Sequence, residues 1–226
     1  MIHAPGVAQG AMARLVPALK ARGLEISADE SPDLEGGSTL LMTTPVDWMR
    51  LGVWLAPWRV ARGARLIVVS RIGAHPDAKA ASLQDLWRLE EYARVSLIPT
   101  LTFRLAPLVS KQSPFWMRLA ARPKFGPEAR QLVMPVLEED AVTALERALR
   151  EERPSEDWYE VVGRDARSLE EWAGIASTGA AAAPDATVPW EPEIEELAEH
   201  RLAEPEIWQE RFGIRARSVI DWAGAA

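Results

Sequence analysis

The run Leu66-Ile67-Val68-Val69 constrains the fold more than any other part of the sequence. Four consecutive apolar residues, three of them β-branched, offer no polar face to water, so a strand built from them needs cover on both sides. The interior of a parallel sheet with helices on both faces meets that condition. The neighbouring segments alternate as such a sheet requires. Met1 to Ala4 reads as a very short first strand, and Pro5 and Gly6 turn the chain into an apolar-periodic helix from Ala8 to Arg22. Gly23 closes that helix, and Leu24 to Ala28 resumes as a strand that ends at Asp29 and Glu30. Thr39 to Thr44 reads as a buried strand and Val46 to Ala61 as a Trp-rich helix interrupted near Pro57. Arg65 to Ser70 carries the apolar run; a helix from Ser82 to Val95 and a strand from Pro99 to Arg104 follow. Leu132 to Val136, Glu138 to Arg150 and Trp158 to Gly163 continue as strand, helix and strand. This order predicts an α/β fold of βαβ units with right-handed crossovers and a mostly parallel sheet.

The 226 residues suffice for one sizeable core, assigned to residues 1–165. Residues 166–226 read as a C-terminal helical extension with a flexible Ala/Gly/Pro/Thr-rich loop over 177–188. Ser168 with Glu171, and Ser218 with Asp221, have capping-box spacing. The absence of cysteine excludes disulfides and thiolate chemistry, and with no signal-peptide pattern at Met1 to Gly10 it points to the cytoplasm. No apolar stretch is long enough to span a membrane. A net charge of −7 argues against nucleic acid, and the basic residues Arg118, Arg122, Lys124 and Arg130 read as a solvated loop. Three dispersed His support no metal site.

Four segments, in order, resemble the atypical short-chain dehydrogenases/reductases, the group with NmrA-like and complex I accessory-subunit-like proteins. His3-Ala4-Pro5-Gly6-Val7-Ala8-Gln9-Gly10 stands where that family has its Gly-rich loop, and Leu66 to Ala74 is similar to the strand ending in the family's catalytic-region Ser. Glu90-Glu91 through Leu97-Ile98-Pro99-Thr100-Leu101-Thr102-Phe103-Arg104 resembles the helix, turn and "TILRP" strand. Met134-Pro135-Val136 with Asp140-Ala141-Val142 stands at the strand before an Asp-initiated helix. The resemblance covers Met1 to Gly163 and implies a Rossmann-like core. With only the chain from Ala28 to Thr39 between two strands, that core is shortened by about one βα unit, one that helps wall the adenosine side.

The resemblance also implies cofactor contacts at Gly6, Gly10 and Asp29, the last on the ribose hydroxyls, with NAD(P) binding weakened. With Gly6 on the family's middle glycine, His3 and Gln9 occupy the outer glycine positions, and their side chains crowd a loop whose backbone has to approach pyrophosphate. Counted back from Arg104, the family's acid/base Tyr and its Lys fall on Ser82 and Leu86. Neither residue replaces a phenolate or a cation. Tyr92 is the nearest phenol, with no Lys four residues on. Ligands of open α/β sheets bind outside the carboxyl ends of strands, so Thr44, Ser70 and His75 form the candidate pocket, with Ser70 and His75 as candidate catalytic groups. Glu90 and Glu91 read as a charged helix face, Asp140 as a helix cap, and Trp48, Trp54 and Trp58 as packing residues.

These features favour a binding or interaction protein without ordinary hydride transfer, acting on a protein partner or as a homo-oligomer. The alternative is a non-redox isomerase, cyclase or dehydratase on an apolar small molecule. A third reading is an NAD(P)-dependent oxidoreductase with an unusual cofactor loop.

Overall fold

A computed structural model describes residues 1–4, 11–28, 38–42, 48–121, 124–151, 157–178 and 194–225, with the side chains of 48–51, 53 and 54 excepted. In chain order the elements are β1 (Ile2–His3), α1 (Met12–Ala21), β2 (Ile26–Ser27), β3 (Thr39–Met42), α2 (Trp48–Val60), β4 (Arg65–Arg71), α3 (Ala81–Arg94) and β5 (Thr100–Leu105). Then follow β6 (Leu108–Val109), α4 (Pro114–Ala120), β7 (Leu132–Val133), β8 (Val136–Leu137), α5 (Glu138–Arg150) and β9 (Asp157–Val161). Last come β10 (Arg167–Ser168), α6 (Leu169–Thr178), α7 (Pro205–Phe212) and α8 (Val219–Ala225). The chain forms two compact units: Met1–Arg104 with Leu145–Tyr159, and Leu105–Ala144 with Glu160–Ala226.

Six strands form one sheet in the order β2-β1-β3-β4-β5-β9. β1 pairs in parallel with β2 and β3, and β3 with β4. The apolar run lies in β4 with every residue buried, as a strand covered on both faces requires. On one face Leu40, Met42, Leu66 and Val68 pack against Leu55 and Trp58 of α2 and Leu89 and Ala93 of α3. Alternation turns Arg65 to the other face, where its guanidinium donates to the carbonyls of Ala148, Leu149 and Glu151 at the end of α5. On that side Arg22, just past α1, donates to Glu146 of α5 at 2.9 Å. Gly23 ends α1 with φ +84°, the left-handed conformation that glycine adopts at a helix C-terminus. α2 continues through Pro57, which stands near its end, so the expected interruption there does not occur.

The second unit holds two short strand pairs, β10 with β7 antiparallel and β6 with β8 parallel. The single strand expected over Leu132 to Val136 is thus two, divided at Met134-Pro135, and each half takes a different partner. Phe115, Trp116 and Leu119 of α4 pack with Trp172 and Ala176 of α6 and Val219 of α8. Burying Trp requires a partner for its indole N–H. Trp172 donates to the Val133 carbonyl at 3.1 Å, and Trp208 to that of Val162 at 3.0 Å.

The capping box at α6 forms as its spacing implies: Glu171 N donates to Ser168 Oγ at 3.2 Å and Ser168 N to Glu171 Oε2 at 2.8 Å. The backbone and hydroxyl hydrogen bonds from Ser168 hold the Glu171 carboxyl below its ordinary pKa. Ser168→Ala is expected to cost about 1 kcal/mol near neutral pH. A carboxyl with a lowered folded-state pKa stabilises above its unfolded value and loses that contribution as pH falls through the folded one. The gap between wild type and Ser168→Ala therefore narrows in urea melts below about pH 4. An equal gap at both ends of the pH range would rule out the reciprocal bond.

Candidate functional site

β2 and β3 lie on opposite sides of β1, so the chain reverses its direction of travel across the sheet there, and the carboxyl end of β1 is the topological switch point. Of the two common doubly wound orders, 3-2-1-4-5-6 places two strands on the β2 side of β1 and 2-1-3-4-5 places one. Among the described residues there is one, and only residues 28–38 separate β2 from β3. Gly6, Gln9, Gly10, Asp29, Glu30 and Thr44 lie outside the described residues.

His3 belongs to β1 and not to a loop. It sits beside Leu40 in register, and its buried ring meets Trp58 edge-on at 5.7 Å between centroids. Its imidazole is therefore part of the face packed against α2. Ser70, near the carboxyl end of β4, shares that face with Leu66 and Val68 by alternation. It is 2% exposed, and its Oγ has no hydrogen-bond partner among the described residues. A buried hydroxyl in that condition carries a desolvation cost without return and marks a position where a ligand atom or water could be held.

His75 differs in setting. Its side chain is 64% exposed and Nδ1 accepts the backbone N–H of Asp77 at 3.2 Å, with the Asp77 carboxylate 3.9 Å away. No hydrogen bond joins His75 to Ser70 among the described residues, so the two do not form a nucleophile and base pair in this conformation.

α3 begins beyond the carboxyl end of β4 and returns toward the amino end of β5. Ser82 stands half-buried in its first turn, and Leu86 is 5% exposed in a cluster with Ala74, Ala78, Ala80 and Leu83. Tyr92 lies roughly 15 Å further along the helix axis than Ser82. It packs beside Leu89 and Ala93, with its hydroxyl 3.0 Å from where a Cβ on Gly52 would stand. The phenol is thus directed at α2, away from the end of the sheet that carries Ser70.

Two acidic residues act differently from their sequence reading. Glu90 is buried and takes Arg104 bidentately, Nε at 3.1 Å to both oxygens and Nη2 at 2.6 Å, while the Arg104 guanidinium lies 4.8 Å from the Trp158 ring centroid. The sequence held a signal for this: Glu90 continues the apolar stripe Leu83, Leu86, Ala93 at helical spacing, so it points inward and needs a counter-ion. Glu91 does lie on the solvated face, where the hydrogen bond from Arg94 lowers its pKa. Asp140 lies in the first turn of α5, and its carboxylate accepts the backbone N–H and guanidinium of Arg217 instead of capping its own helix.

Among the described residues no group of His, Asp and Glu is placed to hold a metal ion, and no helix is long and apolar enough to cross a membrane.

No protein-family profile matches the sequence, and no curated protein matches it. Solved structures do. A nucleoside-diphosphate-sugar epimerase from Staphylococcus aureus superposes with a TM-score of 0.71 at 11% identity, over 98% of this chain and 99% of that one. UDP-glucose 4-epimerase from Thermus thermophilus, solved with NAD, gives 0.62 at 14% over 100% and 99%. An NADPH-dependent quinone oxidoreductase from Escherichia coli, solved with NADPH, gives 0.69 at 14% over 100% and 99%. The fold is therefore the Rossmann-like α/β fold that these sugar epimerases and this reductase have. At the two positions where the resemblance asks for a phenol and an amine, α3 presents the half-buried Ser82 hydroxyl and the buried Leu86.

Proposed function

We propose that this chain is a binding protein on a short-chain dehydrogenase/reductase-type fold, without hydride-transfer activity. The observation that carries the reading is Leu86, 5% exposed among alanines and Leu83, at the position where the resemblance asks for a cation. An ammonium there would have to leave water for an apolar cluster, which pushes a Lys toward its neutral form. Neutral, it would no longer lower the pKa of an acid/base group. The solved structures holding NAD and NADPH make the dinucleotides the first ligands to test. Titrated by calorimetry, NADH and NADPH are expected to bind at about 100 μM or weaker, with no oxidation in the presence of quinones, aldehydes or nucleotide sugars. Micromolar binding coupled to turnover would overturn the proposal.

The Ser70 hydroxyl, without a hydrogen-bond partner among the described residues, favours a second reading, non-redox chemistry on an apolar small molecule held at the end of β4. Exposed His75 supports it less, since its Nδ1 is engaged within its own turn. Conversion of substrate without any dinucleotide separates this reading from the first.

A further inference from the structure

A pocket of about 440 Å3 lies wholly within the second unit, and its lining includes Leu137, Arg164, Arg215, Arg217, Asp221 and Trp222. The segment beside it is anchored on two sides. Asp140 accepts Arg217 N and Nε at 2.9 Å each, and Asp165 accepts Ser218 Oγ and Val219 N at 2.8 Å each. Trp222 rests edge-on against buried Trp116, centroids 5.5 Å apart and planes at 71°, so its indole forms a fixed wall.

The charges around the pocket do not cancel. Arg217 is matched by Asp140 and by Glu139, each 2.8 Å from Nη2; burial opposes its charge, yet those two carboxylates hold its pKa above the ordinary value. The Asp165 carboxylate is taken up by hydroxyl and backbone donors. Arg164 and Arg215 are exposed and make no hydrogen bond or ion pair among the described residues. That is notable in a chain where 33 acidic residues outnumber 26 basic ones. Asp221 is the carboxylate set against them in the lining. The lining itself carries three guanidinium groups to one carboxylate; with Glu139, Asp140 and Asp165 behind it the neighbourhood is not positive overall, so the cationic character is local to Arg164 and Arg215, beside the apolar wall.

We infer that this pocket binds an organic monoanion, a carboxylate carried on a flat apolar body. A guanidinium fork matches a carboxylate with two parallel hydrogen bonds, which a compact ammonium does not. Leu137 and Trp222 supply apolar and aromatic surface for the body of the ligand. Asp221 repels a second negative charge, which discriminates against a phosphate dianion, and it can accept a hydroxyl or N–H of the ligand. The site needs neither a dinucleotide nor the absence of hydride transfer, so it stands apart from the function proposed above.

The test uses phenylacetate, a monoanion, and phenyl phosphate, mostly a dianion above about pH 7. Calorimetry on the full chain is expected to show saturable phenylacetate binding that weakens with salt and exceeds that of phenyl phosphate. The Arg164→Gln/Arg215→Gln variant removes two exposed side chains without partners among the described residues, so its thermal melt is expected to match wild type while phenylacetate binding falls at least about tenfold. Asp221→Asn is expected to shift the preference toward phenyl phosphate by about fivefold or more. Absence of saturable phenylacetate binding up to about 10 mM, unchanged affinity in the double variant, or an unchanged preference in Asp221→Asn would each overturn the inference.

Discussion

Gly163→Ala is expected to destabilise the protein by about 2–4 kcal/mol, a drop of about 5–15 °C in melting temperature. A Cβ at position 163 would stand 2.0 Å from the carbonyl oxygen of Pro135 and 3.1 Å from its carbon. Both are main-chain atoms, so no rotamer change relieves the overlap, and the two backbones have to separate. Separation in turn breaks the hydrogen bond from Gly163 N to the Met134 carbonyl, 3.1 Å long. The conformation of Gly163 is not the reason, because its φ is not positive; the reason is close approach of two chain segments. Thermal and urea melts decide the matter. A variant melting within about 2 °C of wild type would show that the two segments do not meet so closely.

Arg65→Met is expected to cost about 3 kcal/mol, the range for removing one side of a buried, charge-assisted network. Arg65 is 9% exposed. Its Nε donates to Thr39 Oγ1, and its Nη atoms donate to the carbonyls of Ala148, Leu149 and Glu151. Those carbonyls lie at or just beyond the C-terminal end of α5, where the helix dipole is negative and intrahelical donors run out; the Ala148 carbonyl still accepts Glu151 N at 3.3 Å. Burial pulls the Arg65 pKa below its ordinary value and the nearby Glu151 opposes that shift. Methionine fills similar volume but takes the guanidinium donor away from three carbonyls and a hydroxyl, of which the Ala148 carbonyl keeps Glu151 N. Arg65→Lys keeps the charge with one compact donor group, so it is expected to recover only part of the loss. Urea denaturation of the two variants measures both, and equal stability of Arg65→Met and wild type would show the carbonyls find water instead.

Much of the fold was legible because its signals are local. The run at Leu66 to Val69 has to be a doubly covered strand, the bounds Glu138 and Arg150 enclose α5 as its apolar period indicates, and Ser168 with Glu171 announce the start of α6. α4 was missed although Ser113 and Pro114 are a standard helix opening, with Ser113 Oγ accepting Trp116 N. Its 7 residues are too few for an apolar period to stand out against the basic residues that follow.

The candidate site was legible in part. Ser70 was found from its place at a strand end, and that its hydroxyl is buried with no partner among the described residues became visible only with the neighbours in position. His75 shares the strand end in sequence but turns outward into a local bond with Asp77. His3 joined the core through Trp58, which lies far along the chain. The Glu90–Arg104 pair, the contacts of Arg65 and the bond between Asp140 and Arg217 likewise join residues on separate elements.

The sequence by itself determined the class of fold, the order of the main strands and helices, and the absence of a phenol and amine at the positions counted from Arg104. The first two follow from residue type and short-range period, which need no knowledge of distant neighbours; the third is what the family resemblance implies. Only the tertiary structure decided which charges are buried and paired, that Leu86 closes an alanine-rich cluster, and that Arg164 and Arg215 share a pocket with Trp222. Those depend on segments brought together across the chain, and the energies of burial and pairing are set by that proximity.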